Sequence, residues 1–497
     1  MCGIFACRPI VNEWLENSIL KHQERGPDQS AINTFKDIGI SVNRLAITGN
    51  LEEGSQPVFS SSKDTLCVFN GAIYNTDELK KQFSLEVKSK NEAAVLMELY
   101  EIMGEEFVTY VKGMYSIILI DKRNEFLFVT RDNYGIKPLY WVNKEQQYIF
   151  SSSLEAIPKN FLPSVSAFPP GAIWINGSFR KRTKTKIPLY KNFENLLIDT
   201  VESQIPKEVE WGCALSGGLD SSLLCAIARS LGYKFNCYTL DTGEGEDRLL
   251  AQQVSSHLAL PLQSVKVTQN DIEMAIPRLV KSIGSFQQEL IIGGLLTYFI
   301  SRAANRDGLK VLLFGEGADE VFGGYEKYKR IGKTRSNKVA EGRMIHDLYH
   351  LWLTHNKRVD HASMAASIEA RVPYQDPFLA GNARKLSFKL KIDPENPFQD
   401  KIVLRLIANK YLPASVTLRK KTTISQGSNL NQLVKRSLTN LTSKYELTSI
   451  NEKTRLAFNI RSNFETLLFS IWRETFPNMC EDIHDMIGRG LYSKMTI

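Results

Sequence analysis

At 497 residues, 43% hydrophobic and 23% charged, the chain has a globular balance and too much length for one ordinary core, so two or three domains are expected. Its net charge of +8 suits a nucleic acid or a polyanionic substrate such as ATP. The basic residues are dispersed among acidic ones, however, apart from clusters at 180–186 and 419–421, and a solvated, mildly basic surface is the better default. Seven cysteines without a CxxC pair or a His/Cys cluster argue against a zinc site or a disulfide framework. With no secretory leader and no apolar stretch longer than that around 290–300, a cytoplasmic chain that crosses no membrane is expected.

The chain opens Met1-Cys2-Gly3-Ile4-Phe5. If Met1 is trimmed, the Cys2 thiol shares its residue with an α-amino group, whose ordinary pKa is about 7.7–8.0. One residue then supplies both nucleophile and base. Taken alone, a motif this short is more often a chance cysteine. Apolar runs at 65–69, 114–121, 125–130 and 148–151 predict strands, and 91–103 carries helical spacing. Few other residues before 185 suggest a long helix.

A turn at Pro169-Pro170-Gly171 and a basic connector at 177–188 place the domain boundary between 1–185 and 186–497. Beyond it, strands at 212–215, 236–240 and 310–314 alternate with helices from Ser221 and Asp247, which argues for a parallel sheet with helices on both faces. From about 356 onward the pattern is mainly helical, including 430–443 and 454–476.

Three runs concentrate chemistry. Ser216-Gly217-Gly218-Leu219-Asp220-Ser221-Ser222 stands between a strand and a helix, where glycines and unpaired helix N–H groups can receive a phosphate. No lysine follows the second glycine, so it is not the ordinary nucleoside-triphosphate loop. It resembles the pyrophosphate loop of ATP pyrophosphatases, which implies that Asp220 helps hold Mg²⁺. Gly315-Glu316-Gly317-Ala318-Asp319-Glu320 follows a strand, at the sheet end where open α/β folds bind ligands. Ser367-Ile368-Glu369-Ala370-Arg371-Val372-Pro373 reads equally as chemistry or as a charged helix end held by ion pairs.

With Arg25-Gly26-Pro27-Asp28, Arg44-Leu45-Ala46-Ile47, Gln56-Pro57, Asn70-Gly71, Arg131-Asp132 and Arg419-Lys420-Lys421 in the same order, the chain resembles glutamine-hydrolysing asparagine synthetases over essentially its whole length. The resemblance implies an α+β glutaminase domain of the N-terminal-nucleophile hydrolase type, with stacked antiparallel sheets. An α/β parallel-sheet domain of the ATP pyrophosphatase type with a largely helical C-terminal part would follow it. Ammonia would pass between them through an internal tunnel.

By that resemblance Cys2 attacks the amide of glutamine, and Asn70 with the N–H of Gly71 forms the oxyanion hole, a contribution of about 3–4 kcal/mol per donor. Arg44 pairs with the glutamine carboxylate. Leu215, Ser216, Gly217, Gly218, Asp220, Ser221, Ser222, Leu240 and Gly315 bind ATP and its pyrophosphate. Asp220 and Asp319 hold Mg²⁺, and Glu316 takes a proton from ammonia. Lys421 neutralises the phosphates, with Lys420 a weaker candidate. The expected partners are glutamine, ATP and aspartate or another carboxylic acid, with no nucleic acid and no membrane; a homodimer is a candidate assembly.

Two departures stand out. Relatives carry Asn-Gly-Glu where this chain has Asn70-Gly71-Ala72, so Glu92 is expected to reach into the vacated space and alone balance the glutamine ammonium, unless it merely starts its helix. The segment 284–294 aligns poorly with the family's acceptor pocket, and Gly293 and Gly294 are expected to leave room for a larger acceptor. An amide-forming ligase acting on aspartate therefore stands beside one acting on another carboxylic acid, for example in a natural-product pathway. A nucleic-acid-binding or regulatory pseudoenzyme is the non-catalytic alternative.

Overall fold

Alternating side chains in the first 180 residues build two six-stranded antiparallel sheets that face each other. The computed structural model describes residues 2–180, 187–243, 245–393, 400–420, 429–444, 450–477 and 479. In spatial order the first sheet runs Ser166–Ala167, Tyr140–Lys144, Gln147–Ser151, Cys2–Arg8, Ile38–Arg44 and Gln29–Phe35. The second runs Ser178–Arg180, Ile173–Ile175, Phe126–Arg131, Gly113–Asp121, Thr65–Ile73 and Val58–Phe59. Period two divides the strand Cys2–Arg8 between two cores. Cys2, Ile4 and Ala6 enter the layer between the sheets, whereas Phe5 and Cys7 join a cluster shared with helices of the second half.

The helix Glu92–Met103 forms as its spacing predicts, with the Asn91 side chain accepting from the N–H of Ala93. A second helix, Asn12–His22, escapes sequence reading because its buried face carries Ser18 and His22 beside Leu15. The connector at 181–186 lies outside the described residues.

In the second half five parallel strands stand in the order Leu262–Lys266, Asn236–Asp241, Trp211–Ala214, Val311–Leu313 and Glu369–Arg371. The two edge strands are missed by apolar patterning: Leu262–Lys266 is largely solvated and Glu369–Arg371 carries two charges. The described chain after 356 is mainly helical as expected, with one short strand, Glu369–Arg371, after the helix His355–Met364. Within it, the expected helix over 454–476 is corrected. It divides into Glu452–Ala457 and Asn463–Thr475, separated by Asn459 at φ 49 and restarted by the Ser462 side chain accepting from the N–H of Glu465. No helix of the described residues is long and apolar enough to cross a membrane.

Charges seal the two halves together. Arg25 pairs with Asp360 at 2.8 Å and Lys310 with Asp28 at 2.6 Å. The Asn356 amide donates to the carbonyl of Tyr134. Arg25 and Asp28 of the Arg-Gly-Pro-Asp run therefore clamp the halves.

Candidate functional site

The strands Cys2–Arg8 and Thr65–Ile73 bring Cys2 beside Asn70. The backbone N–H of Cys2 donates to Asn70 Oδ1 at 3.1 Å. Asn70 Nδ2 is buried and has no hydrogen-bond partner among the described residues. A buried amide donor without an acceptor is costly and is kept where a ligand supplies one. Gly71 tolerates no side chain, since a Cβ would lie 2.0 Å from the carbonyl oxygen of Met114. Burial pushes the Cys2 thiol up, so its proton must be taken by a base for the sulfur to attack.

Around Cys2 a cleft is lined by Arg44, Thr48, Gln56, Glu92, Glu369 and Arg371, among others. The Arg44 guanidinium is held by carbonyls of the 48–51 loop, with Nη2 donating to Thr48 at 2.9 Å and Nη1 to Asn50 at 3.1 Å. Glu92 does open its helix, yet its carboxylate also faces the cleft: it accepts from the N–H of Ile73 at 2.5 Å and from the Thr48 hydroxyl at 3.1 Å. Burial pushes the Glu92 carboxyl up, against the pull of Arg371. Ala72 turns away into an apolar cluster with Leu45, Ile47 and Met114.

Glu369 and Arg371, the run that sequence alone left ambiguous, form an ion pair at 2.6 Å and carry the second half into this cleft. Gln56 was legible only as part of a short Gln-Pro motif. Its side chain pairs with both backbone groups of Phe69 and donates to Cys2 Sγ at 3.2 Å.

A larger cavity, of about 360 Å³, lies at the carboxyl ends of the parallel strands. It gathers Leu215, Ser216, Asp220, Ser221, Leu240, Gly315, Glu316 and Asp319, all expected there. The helix Leu219–Ser230 begins without a side-chain cap, leaving its first N–H groups available. Gly217 sits at φ +72, with no room for a Cβ against Leu250. Gly217 and Gly218 shape the turn, while Ser222 is fully buried and its hydroxyl has no partner among the described residues. Lys421 lies outside the described residues; Lys420 is exposed, and Arg419 reaches Asp247 on the cavity wall at 3.6 Å.

Two residues absent from the expected site complete it. Lys401, only 3% exposed, sets its ammonium 2.6 Å from Asp220 Oδ2 and 2.5 Å from Asp319 Oδ1. Arg358 pairs with Glu316 at 3.1 Å. Both glycines of the 284–294 segment face neighbouring side chains: a Cβ on Gly293 would lie 2.6 Å from Arg358, and one on Gly294 would meet Ile283. Gly293 lies on the wall of the larger cavity.

Comparison with known proteins gives a family match to both halves of the chain. Residues 1–169 match the glutamine amidotransferase domain, and residues 192–354 and 333–457 match asparagine synthase. The chain belongs to the asparagine synthase family. It is 27% identical to a putative glutamine-hydrolysing asparagine synthetase of Methanocaldococcus jannaschii, over 84% of this chain and 90% of that one. Identity is also 27% to asparagine synthetase B of Escherichia coli, over 96% and 92%, and 29% to the asparagine synthetase of Zea mays, over 87% and 78%. Among solved structures it is similar to a glutamine phosphoribosylpyrophosphate amidotransferase from B. subtilis, at 14% identity, covering 68% of this chain and 79% of that chain, with a TM-score of 0.31. As an asparagine synthase-family protein the chain is a ligase-type enzyme, a glutamine amidotransferase joined to an ATP-using synthetase part.

Proposed function

We propose that this asparagine synthase-family enzyme hydrolyses glutamine at Cys2 and uses the ammonia to amidate aspartate, forming asparagine, AMP and pyrophosphate in the cytoplasm. The proposed domains are 1–185 and 186–497. The observation that carries the reading is that one strand serves both cavities. Glu369 and Arg371 line the Cys2 cleft, and the Arg371 carbonyl accepts from the N–H of Phe314, next to Gly315 and Glu316 of the larger cavity.

With Met1 removed, the Cys2 α-amine takes the thiol proton and the sulfur attacks the glutamine amide carbon. Asn70 Nδ2 and the Gly71 N–H receive the negative charge that develops on the carbonyl oxygen. Collapse returns the proton to the departing nitrogen as ammonia and leaves a thioester, which water hydrolyses to glutamate. Arg44 takes the glutamine carboxylate and Glu92 its ammonium, a charge that would offset the rise burial imposes on that carboxyl. The apolar cluster holding Ala72, Met114, Ile368, Ala370, Val372 and Phe314 spans the two halves, and ammonia passing along it would meet no competing hydrogen-bond partners.

In the larger cavity the Ser216–Ser222 loop and its helix N-terminus hold the phosphates of ATP. An aspartate carboxylate oxygen attacks the α-phosphorus, and pyrophosphate leaves. Ammonia then attacks the acyl carbon, AMP leaves, and Glu316 accepts the surplus proton. Asp220 and Asp319 offer hard carboxylate oxygens beside the loop, with the Lys401 ammonium already lying between them. Asp220 and Asp319 would hold Mg²⁺, which would screen the phosphate charge. Arg358, filling the space against Gly293, supports a short acidic acceptor over a bulky one.

The test is pyrophosphate release with ATP, Mg²⁺ and glutamine, screened across aspartate and other carboxylic acids. Aspartate-dependent release is expected; release with another acid and none with aspartate would move the assignment to that acceptor.

A further inference from the structure

The Gln56 side chain lies beside the nucleophile and nothing so far gives it a task. It is 6% exposed, and both ends of its amide are fixed by Phe69: Oε1 accepts from the Phe69 N–H at 2.7 Å, and Nε2 donates to the Phe69 carbonyl at 3.0 Å. That two-point match decides which end is nitrogen, because the reversed amide would set oxygen against oxygen and N–H against N–H. An amide nitrogen carries two hydrogens. One is used on Phe69, and Nε2 lies 3.2 Å from Cys2 Sγ for the other. Phe69 immediately precedes Asn70 and Gly71, so one side chain ties the sulfur to the strand that carries the oxyanion donors.

We propose that Gln56 is a catalytic residue of the glutaminase centre, whose amide N–H stabilises the Cys2 thiolate and aims it at the substrate carbon; this rests on the reading of Cys2 as the nucleophile. A donor favours sulfur as an anion over sulfur as a thiol. When the sulfur pair forms the bond to carbon, negative charge moves from sulfur to the carbonyl oxygen and from Gln56 to the Asn70 and Gly71 donors. The proton released from sulfur stays on the α-amine until ammonia leaves, so no further reactant is needed.

The experiment compares Gln56→Met, which removes the donor without adding charge, and Gln56→Glu, which replaces it with an acceptor. The readout is the pH dependence of Cys2 alkylation by iodoacetamide, followed by mass spectrometry of the N-terminal peptide. Both variants should move the midpoint upward by about one pH unit or more and lower glutamine hydrolysis at least tenfold, while ammonia-dependent pyrophosphate release stays at the wild-type level. An unmoved midpoint in Gln56→Met would overturn the proposal, even if Gln56→Glu shifts, because the shift would then come from the added charge. Loss of the ammonia-dependent reaction in both would also overturn it, making Gln56 a folding residue. The alkylation profile needs no turnover, so a wild-type protein that hydrolyses no glutamine would remove the parent reading and still leave the thiolate claim decided.

Discussion

Arg25 and Asp360, 335 positions apart, meet at 2.8 Å with side chains only 6% and 3% exposed. Lys137 approaches the other carboxylate oxygen at 3.5 Å, and Arg25 Nε donates to the carbonyl of Cys2 at 3.4 Å. One buried carboxylate from the second half thus anchors Cys2, the nucleophile in the proposed reaction. Burial opposes ionisation of Asp360, yet Arg25 and Lys137 prevail and hold its carboxyl below the ordinary range.

Asp360→Ala should lower unfolding stability by about 3–5 kcal/mol, because Arg25 and Lys137 would be left buried without their counter-charge. Urea unfolding at neutral pH measures this. A depressed carboxyl contributes stability above its unfolded range and loses it as pH falls. The gap between wild type and variant should therefore narrow on acidification.

Lys357 gives a slope of the same sign from the opposite cause, a buried charge that costs stability at low pH. Burial, with Arg131 adding to it, pushes its ammonium down to about 7 from 10.5. Between those values the unfolded chain binds a proton that the folded chain does not, so this group makes stability rise with pH across the window. Lys357→Met should be more stable than wild type below pH 7, by on the order of 1.4 kcal/mol for each unit that burial has moved the group. Its advantage should shrink toward pH 10, as thermal unfolding across that range would reveal.

Ala72→Glu restores the residue expected from the family resemblance, but at a position 2% exposed within the apolar cluster shared by the halves. The new carboxylate should cost several kcal/mol in denaturant unfolding without improving the KM for glutamine. Glu92→Ala, by contrast, should raise that KM at least tenfold, since the cleft would lose the carboxylate assigned to the substrate ammonium.

Lys401→Met leaves Asp220 and Asp319 facing each other without the ammonium between them. Pyrophosphate release should fall by two orders of magnitude or more, and glutamine hydrolysis at the distant Cys2 should persist. Parallel assays for pyrophosphate and glutamate separate these effects.

Much of this was legible in the chain. Strands such as Gly113–Asp121 are apolar enough to declare themselves, and the Ser216–Ser222 loop stands between a strand and an uncapped helix as its sequence predicts. What escaped was held by tertiary charge. Glu369–Arg371 is a strand because it adds to the edge beside Val311–Leu313, although its residues look like a solvated helix end. Gln56, Arg358 and Lys401 gain meaning only from partners 13 to 181 positions away, which no local pattern encodes. Gly293 gains its meaning the same way, since the space beside it is bounded by Arg358.

The central claim is two chemical centres joined by ammonia, and Cys2→Ala tests it most directly. Pyrophosphate-coupled amidation should disappear with glutamine as nitrogen donor and continue at the wild-type rate with ammonium chloride. Loss of both reactions would contradict two separable sites, and retention of both would contradict Cys2 as the source of ammonia.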